Sequence, residues 1–148
     1  MNKYNFERIS ALPVTELTDA QLIGAIGYLS RVIEQGRRVL QDNPGDAVAR
    51  HAVHPDYTAG VRRGYIAEAE ARCDLYRARV EYLQARFGKE RDALQDYTAR
   101  SLAGDITAEV YAQRVANVGV NLKSTARGLQ ETSDALQALS DYLLTVDA

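Results

Sequence analysis

The feature that most constrains the fold of this chain is a seven-residue repeat of apolar side chains in two long segments, about residues 56–103 and 107–146. In each segment a second series follows the first by three residues, which is the a and d spacing of helices that pack along their length. No proline follows Pro55, so ring geometry interrupts neither segment. The series are Ile66, Cys73, Val80, Phe87 and Leu94 with Ala69, Tyr76, Leu83 and Tyr97 in the first segment, and Val115, Leu122, Leu129, Leu136 and Leu143 with Tyr111, Val118, Thr125, Thr132, Leu139 and Val146 in the second.

The two segments can be paired antiparallel, with Val80 opposite Leu129. Each pair of residues from the first series of the two segments then has the same sum of residue numbers, and the midpoint falls between Gly104 and Asp105. Capping patterns indicate the same turn independently, because Gly104 suits a left-handed C-terminal position and Thr107 suits the next N-cap. This agreement predicts a hairpin with a defined register.

A shorter helix is predicted before the hairpin, over about residues 18–42. Thr18 followed by Gln21 is a capping-box pattern, and the Asn43-Pro44-Gly45 turn ends the helix. This helix is too short to cover the hairpin, and it should run antiparallel to the first half of the second helix, with Leu22 near residue 76. We therefore predict an all-α fold, a long antiparallel two-helix coiled-coil hairpin with a shorter N-terminal helix that completes a three-helix bundle at one end. The core positions of the short helix are Leu22, Ile26, Leu29, Ile33 and Leu40.

Residues 1–17 are predicted to form an N-terminal arm, and residues 18–148 a single helical domain. The apolar residues of the arm follow neither a helical nor a strand period, so the arm needs a surface to lie on. The arm lacks the basic start and apolar core of a secretory signal. The longest apolar stretch, Leu22–Leu29, is too short to span a bilayer. We expect a cytoplasmic protein, or one assembled inside a cell such as a virion component, with no membrane contact.

The scarcity of chemically versatile residues argues against catalysis. The chain has one Cys and two His, which excludes an internal disulfide and any Cys-based zinc or iron–sulfur site. No glycine-rich phosphate loop, nucleophile elbow or zinc-protease motif occurs. We expect no enzymatic activity, no cofactor and no metal. A metal-binding or enzymatic site at His51 and His54 stays open as a minor alternative, in a loop predicted over residues 43–56 with a short helical turn around residues 47–50.

Two faces of the predicted hairpin lie away from its seam and are candidates for partner contact. One is a face of the second helix with alternating spacings of four and three, and the other is a stripe of small residues at intervals of seven from Ala112 to Ser140. Small side chains let another helix approach closely, although the first helix should cover part of each face. Beyond its reach lie the residues that we predict to bind a partner, to which we add two aromatic residues of the arm: Tyr82, Ala85, Ala112, Ala116, Gly119 and Val120, with Tyr4 and Phe6.

Arginine outnumbers lysine fifteen to three, which raises the question of nucleic acid binding. A basic cluster of six arginines should gather at the three-helix end, where we predict Asp141, Asp147 and the terminal carboxylate as neighbours of Arg62. A surface of mixed charge does not favour a nucleic-acid groove. The cluster consists of Arg31, Arg37, Arg38, Arg50, Arg62 and Arg63.

Glu90 is the one charged residue in the seam of the second helix, at a position opposite Val118. An unpaired buried carboxylate is costly, so we expect it either to reach solvent or to pair with Arg86 or Arg114. Cys73 also lies in the seam, where an inert small apolar residue is expected.

These patterns favour a non-enzymatic helical interaction protein, that is a scaffold, an adaptor or a subunit of a larger assembly. Its helix faces and N-terminal arm would contact copies of itself or another protein. The alternative is a small stoichiometric inhibitor or regulator of a macromolecular target, as some accessory proteins of mobile elements are.

Overall fold

The computed structural model describes residues 1–146, and all regular structure in that range is helical. The predicted fold class, a hairpin of two long helices preceded by a shorter one, is confirmed. No helix within these residues is both long enough and apolar enough to cross a membrane. The elements in chain order are α1 (Lys3–Ser10), a single 3₁₀ turn (Val14–Glu16), α2 (Asp19–Asp42), α3 (Ala47–Val53), α4 (Thr58–Leu102) and α5 (Ala108–Val146). Asp147 and the terminal carboxylate, which we predicted beside Arg62, lie outside the described residues.

The predicted helix ends are confirmed by their hydrogen bonds. Thr18 and Gln21 form a reciprocal capping box, with the Gln21 amide donating to Thr18 Oγ1 over 3.1 Å. Gly104 has a φ of +77°, the left-handed conformation that an L side chain rarely adopts. The Asp105 amide donates to the Arg100 carbonyl over 2.9 Å, which is the long bond of a Schellman motif. The turn between α4 and α5 therefore follows from local chemistry.

The described residues form two compact units. Unit 1 consists of Met1–Cys73 together with α5 from Leu139 onward, and unit 2 consists of Asp74–Ala138. Unit 1 contains α1, α2, α3 and one end of each long helix. Unit 2 contains only α4, α5 and the turn that joins them. The N-terminal 17 residues belong to unit 1, and the single domain over residues 18–148 stays a prediction.

The predicted seam positions of α4 and α5 face inward in both units. In unit 1, Cys73 is 2% exposed and Leu139 is fully buried. In unit 2, every predicted seam residue is buried or half-buried, from Tyr76 to Tyr97 and from Tyr111 to Leu136. The hydroxyls of Thr98 and Tyr111 lie 3.2 Å apart near the turn, which agrees with the predicted midpoint.

The N-terminal 17 residues are not the irregular arm that we predicted, because α1 is a regular helix within them. The Asn2 side chain caps its first turn. The Phe6 ring stacks on Tyr28 with centroids 4.8 Å apart and meets the edge of Tyr65 at 6.3 Å. Ile9 is buried as well. Because α1 has only about two turns, too few of its apolar residues face inward for the sequence to show a helical period.

Arg72 of α4 holds the segment between α1 and α2 in place. Its guanidinium donates to the carboxylates of Asp19 and Glu68, both over 2.9 Å. It also donates to the backbone carbonyls of Val14 and Thr15, over 3.2 and 3.3 Å. Its side chain is only 13% exposed, so these bonds lie at the edge of the unit 1 core.

A second correction concerns the loop predicted over residues 43–56, because α3 occupies half of it and runs beyond the single turn that we expected. The Asp46 side chain caps α3 by accepting from the Ala49 amide over 2.8 Å. Ala49 and Ala52 are buried against Gly36 of α2. A Cβ on Gly36 would lie only 3.1 Å from the Ala52 Cβ, so glycine is what allows α3 to dock.

Gly60 and Gly64, one turn apart in α4, should respond oppositely to alanine. A Cβ on Gly60 would collide with the Pro55 carbonyl oxygen, whereas a Cβ on Gly64 would meet no atom within 4 Å. We expect Gly60→Ala to lower the free energy of unfolding by about 1 kcal/mol or more, and Gly64→Ala to raise it by up to about 1 kcal/mol through helix propensity. Urea denaturation followed by circular dichroism measures both. A stabilised Gly60→Ala variant would contradict the close approach of Pro55.

Candidate interaction surface

Unit 2 leaves much apolar surface uncovered because it contains only two helices. Each helix buries one side in the seam, and the remaining sides face outward. Leu75 and Tyr82 of α4 are 69% and 62% exposed, and Val120 of α5 is 68% exposed. Contiguous exposed apolar residues on a regular helix commonly mark a contact surface.

The α4 stripe, which we define as Leu75, Ala78, Tyr82 and Ala85, lies on the side of α4 opposite the seam. Its spacings of four and three residues place all four side chains in one row, and all four are exposed. The row is about 15 Å long at 1.5 Å per residue. Two of these four, Tyr82 and Ala85, are among the residues that we predicted to bind a partner. Leu75 is not among them because we expected α2 to reach that level of α4, although its spacing of three and seven residues from Ala78 and Tyr82 is the signal that could have included it.

Charged residues of opposite sign border the two edges of the α4 stripe. Arg79 and Arg86 each follow an alanine of the stripe and lie on one edge, whereas Asp74 and Glu81 lie on the other. All four are exposed. Asp74 forms a surface ion pair with Arg77 over 2.7 Å. Within residues 1–146, none of the ion pairs involves Arg79 or Glu81.

The predicted contact residues of α5 are placed on open surface as well. Ala112, Ala116 and Val120 are exposed, and Gly119 is half-buried. Among the described residues, no atom lies within 4 Å of where a Cβ on Gly119 would be, so a side chain there has open space. This face presents small side chains only, apart from Val120.

A groove of about 370 Å³ runs beside the seam of unit 2. Phe87 and Leu129 form its half-buried apolar part, and Ala126 and Ser133 of the small-residue stripe line it. The small side chains of Ala126 and Ser133 thus border open space beside the seam.

Glu90 is mostly buried in the seam and bonds to one residue of each long helix. Its carboxylate accepts from Arg86 Nε and from Thr125 Oγ1, each over 3.0 Å, and its side chain is 14% exposed. The pairing with Arg86 was one of the expected alternatives, and this carboxylate raises the pKa of the Arg86 guanidinium. Thr125 lies seven residues, about 10 Å along α5, from Val118, the residue that we predicted opposite Glu90. Arg114, the other candidate, instead lies over the Tyr97 ring at 4.9 Å.

The two aromatic residues predicted to bind a partner from the N-terminal segment have different surroundings. Tyr4 is 73% exposed. Phe6 is half-buried between Tyr28 and Tyr65 and thus packs within unit 1. The two residues therefore do not form one surface.

His51 and His54 pack around Tyr57. The His51 ring stacks on Tyr57 with centroids 4.1 Å apart, and the Asp56 amide donates to His54 Nδ1 over 3.2 Å. Within the described chain, no group of three or more His, Cys, Asp and Glu side chains is arranged to hold a metal ion. Cys73 is buried, with its Sγ 3.7 Å from Ser140 Oγ.

Of the predicted contact residues, the structure places Tyr82 and Ala85 on the α4 stripe and Ala112, Ala116, Gly119 and Val120 together on α5. The assignment of function rests on these surfaces and their charges. Comparison of the chain with models of protein families, with curated proteins and with solved structures found no match in any of the three.

Proposed function

We propose that this chain is a non-enzymatic helical interaction protein, acting as a subunit of a larger assembly inside the cell. Its partner is a second copy of the chain, and the contact is a short coiled coil between two α4 stripes. The observation that carries the proposal is the exposure of Leu75 and Tyr82, two large side chains in register on a helix face that no other part of unit 2 covers. An aromatic side chain with a polar tip suits such a contact.

The charged edges of the stripe favour a second copy over an unrelated partner. If Leu75 and Tyr82 take a positions and the alanines take d positions, Asp74 and Glu81 take g positions, and Arg79 and Arg86 take e positions. In a parallel pair of helices, a g residue faces the e residue five positions later on the partner. Asp74 then faces Arg79 of the second copy, and Glu81 faces Arg86.

The same edges disfavour an antiparallel pair. In that arrangement e positions face e positions and g positions face g positions, so Arg79 and Arg86 would meet arginines and Asp74 and Glu81 would meet acids. Exposed pairs contribute only about 0–1 kcal/mol each, so they set orientation more than affinity. The charge pattern therefore selects the parallel arrangement.

The stripe is short, which makes the association dependent on concentration. Lys89 and Asp92 take the next a and d positions, so the apolar row ends at Ala85. A contact about two heptads long buries less surface than a stable dimer interface requires. Self-association through α4 thus fits a subunit whose local concentration is raised by other contacts in an assembly.

Replacing an apolar residue of the stripe with glutamate should abolish self-association. We expect the unmodified chain to show an apparent mass that rises with concentration in sedimentation equilibrium, and Leu75→Glu and Tyr82→Glu to remain monomeric. Both residues are exposed, so the variants should keep the helical content of the parent. Leu144→Glu is the matched control, because Leu144 is 75% exposed but belongs to α5 in unit 1 and not to the stripe. It should associate as the parent does.

Charge reversal tests the orientation of the two copies. In a parallel pair, Asp74→Arg and Arg79→Glu should each weaken association, and the double variant should restore it. In an antiparallel pair, each single reversal would strengthen association instead. Lys123→Glu, an exposed charge reversal on α5, serves as the control. A chain that stays monomeric at every accessible concentration would rule out the second copy as the partner.

A further inference from the structure

A cleft of about 620 Å³ opens in unit 1, between α2, the end of α3, the start of α4 and the end of α5. Its apolar lining is contributed by Ile33, Val53, Ala59 and Val146. Its polar lining is dominated by three guanidinium groups, those of Arg37, Arg62 and Arg63. The volume lies within the range of clefts that hold small molecules.

Two of the three guanidinium groups are held in position by neutral groups. Arg62 Nε donates to Ser30 Oγ over 2.8 Å, and its Nη2 donates to the Val146 carbonyl over 3.4 Å. Arg63 Nη2 donates to the Pro55 carbonyl over 2.9 Å. None of these acceptors carries a charge, so the contacts orient the cations without neutralising them.

Among the described residues, one carboxylate lines the cleft, against three guanidinium groups. Glu34 also lines the cleft, but it pairs with Arg38 over 3.2 Å. Across residues 1–146, no ion pair includes Arg37, Arg62 or Arg63. Three like charges around one cavity repel one another, and a bound anion would relieve that repulsion.

We propose that this cleft binds a small phosphomonoester whose phosphate contacts the three arginines and whose apolar body lies on the aliphatic lining. A phosphomonoester carries nearly two negative charges at neutral pH and presents three terminal oxygens, which matches three guanidinium groups better than a single carboxylate does. The bounded size of the cleft favours a small molecule over a polymer, which would need a basic track that continues along the surface. This inference is independent of self-association through α4.

The test is isothermal titration calorimetry of the full chain with phenyl phosphate and with inorganic phosphate. We expect saturable binding of one phenyl phosphate, with inorganic phosphate at least about tenfold weaker because it leaves the aliphatic lining exposed. Arg37→Gln and Arg63→Gln should each weaken phenyl phosphate at least about tenfold, since each removes charge-assisted hydrogen bonds. Arg100→Gln, an exposed arginine of unit 2, is the control and should bind as the parent does. Thermal melts of the variants check that the fold is kept.

Three outcomes would overturn the proposal. The first is the absence of saturable phenyl phosphate binding, or binding that Arg37→Gln and Arg63→Gln leave unchanged. The second is phenyl phosphate binding that is found with the Asp147→Asn variant but not with the unmodified chain. That result would mean that the chain neutralises these arginines with its own carboxylate. The third is an oligonucleotide that competes at lower concentration than phenyl phosphate, which would assign the arginines to nucleic acid.

Discussion

Leu139→Ala should lower the free energy of unfolding by about 3 kcal/mol, within a range of about 2–5 kcal/mol for a fully buried leucine. Leu139 is one of the largest side chains with no exposed surface, and it lies where α5 enters unit 1. Truncation removes apolar area from the core and leaves a cavity that close-packed neighbours fill only in part. Urea denaturation followed by circular dichroism gives the value directly.

The matched control is the same substitution five residues later in the same helix. Leu144 is 75% exposed, so Leu144→Ala should change the free energy of unfolding by no more than about 0.5 kcal/mol. Both changes have the same effect on helix propensity, so their difference isolates burial. Equal effects of the two substitutions would contradict the packing of α5 in unit 1.

Arg72→Ala should lower the free energy of unfolding by about 2–3 kcal/mol. Removing one partner of a buried ion pair costs about 3–5 kcal/mol, and we take a smaller value because Asp19 and Glu68 remain 28% and 19% exposed. The loss includes the two carbonyls, Val14 and Thr15, that Arg72 binds. Besides the lower midpoint in urea, the amides around the 3₁₀ turn should exchange hydrogen faster.

Arg77→Ala provides the comparison for Arg72→Ala. Arg77 lies five residues later in α4 and pairs with Asp74, but the two side chains are 56% and 78% exposed. A pair of this kind contributes about 0–1 kcal/mol. If Arg72→Ala were no more destabilising than Arg77→Ala, the four contacts of Arg72 would not be what holds the N-terminal segment.

The parts of the fold that could be predicted depend on residues close together in the chain. The Thr18 capping box and the Gly104 turn are each decided within a few residues, and the seam requires only that apolar residues recur every seven. The predicted contact positions on α4 follow from the same period. Whether such a face is covered is a different matter, because it depends on which other segment reaches it, as the exposure of Leu75 illustrates.

The parts that could not be predicted involve residues far apart in the chain. Phe6 packs on aromatic rings of α2 and α4, Arg72 collects acceptors from three segments, and the cleft of Arg37, Arg62 and Arg63 is formed by four helices. The sequence predicts that these arginines gather at one end of the fold, but only the tertiary structure shows that, within residues 1–146, none of the three forms an ion pair with a carboxylate.

By itself, the sequence determined that this protein is an all-α chain with two long helices, that they pair antiparallel about Gly104, and which side of each faces the other. Helix caps and apolar periods specify those features because they act through local geometry. Only the tertiary structure decided that residues 3–10 form a helix against unit 1, that Glu90 bonds to Thr125, and that the α4 stripe remains uncovered. These depend on free energies of burial and pairing between distant segments, which no local pattern records.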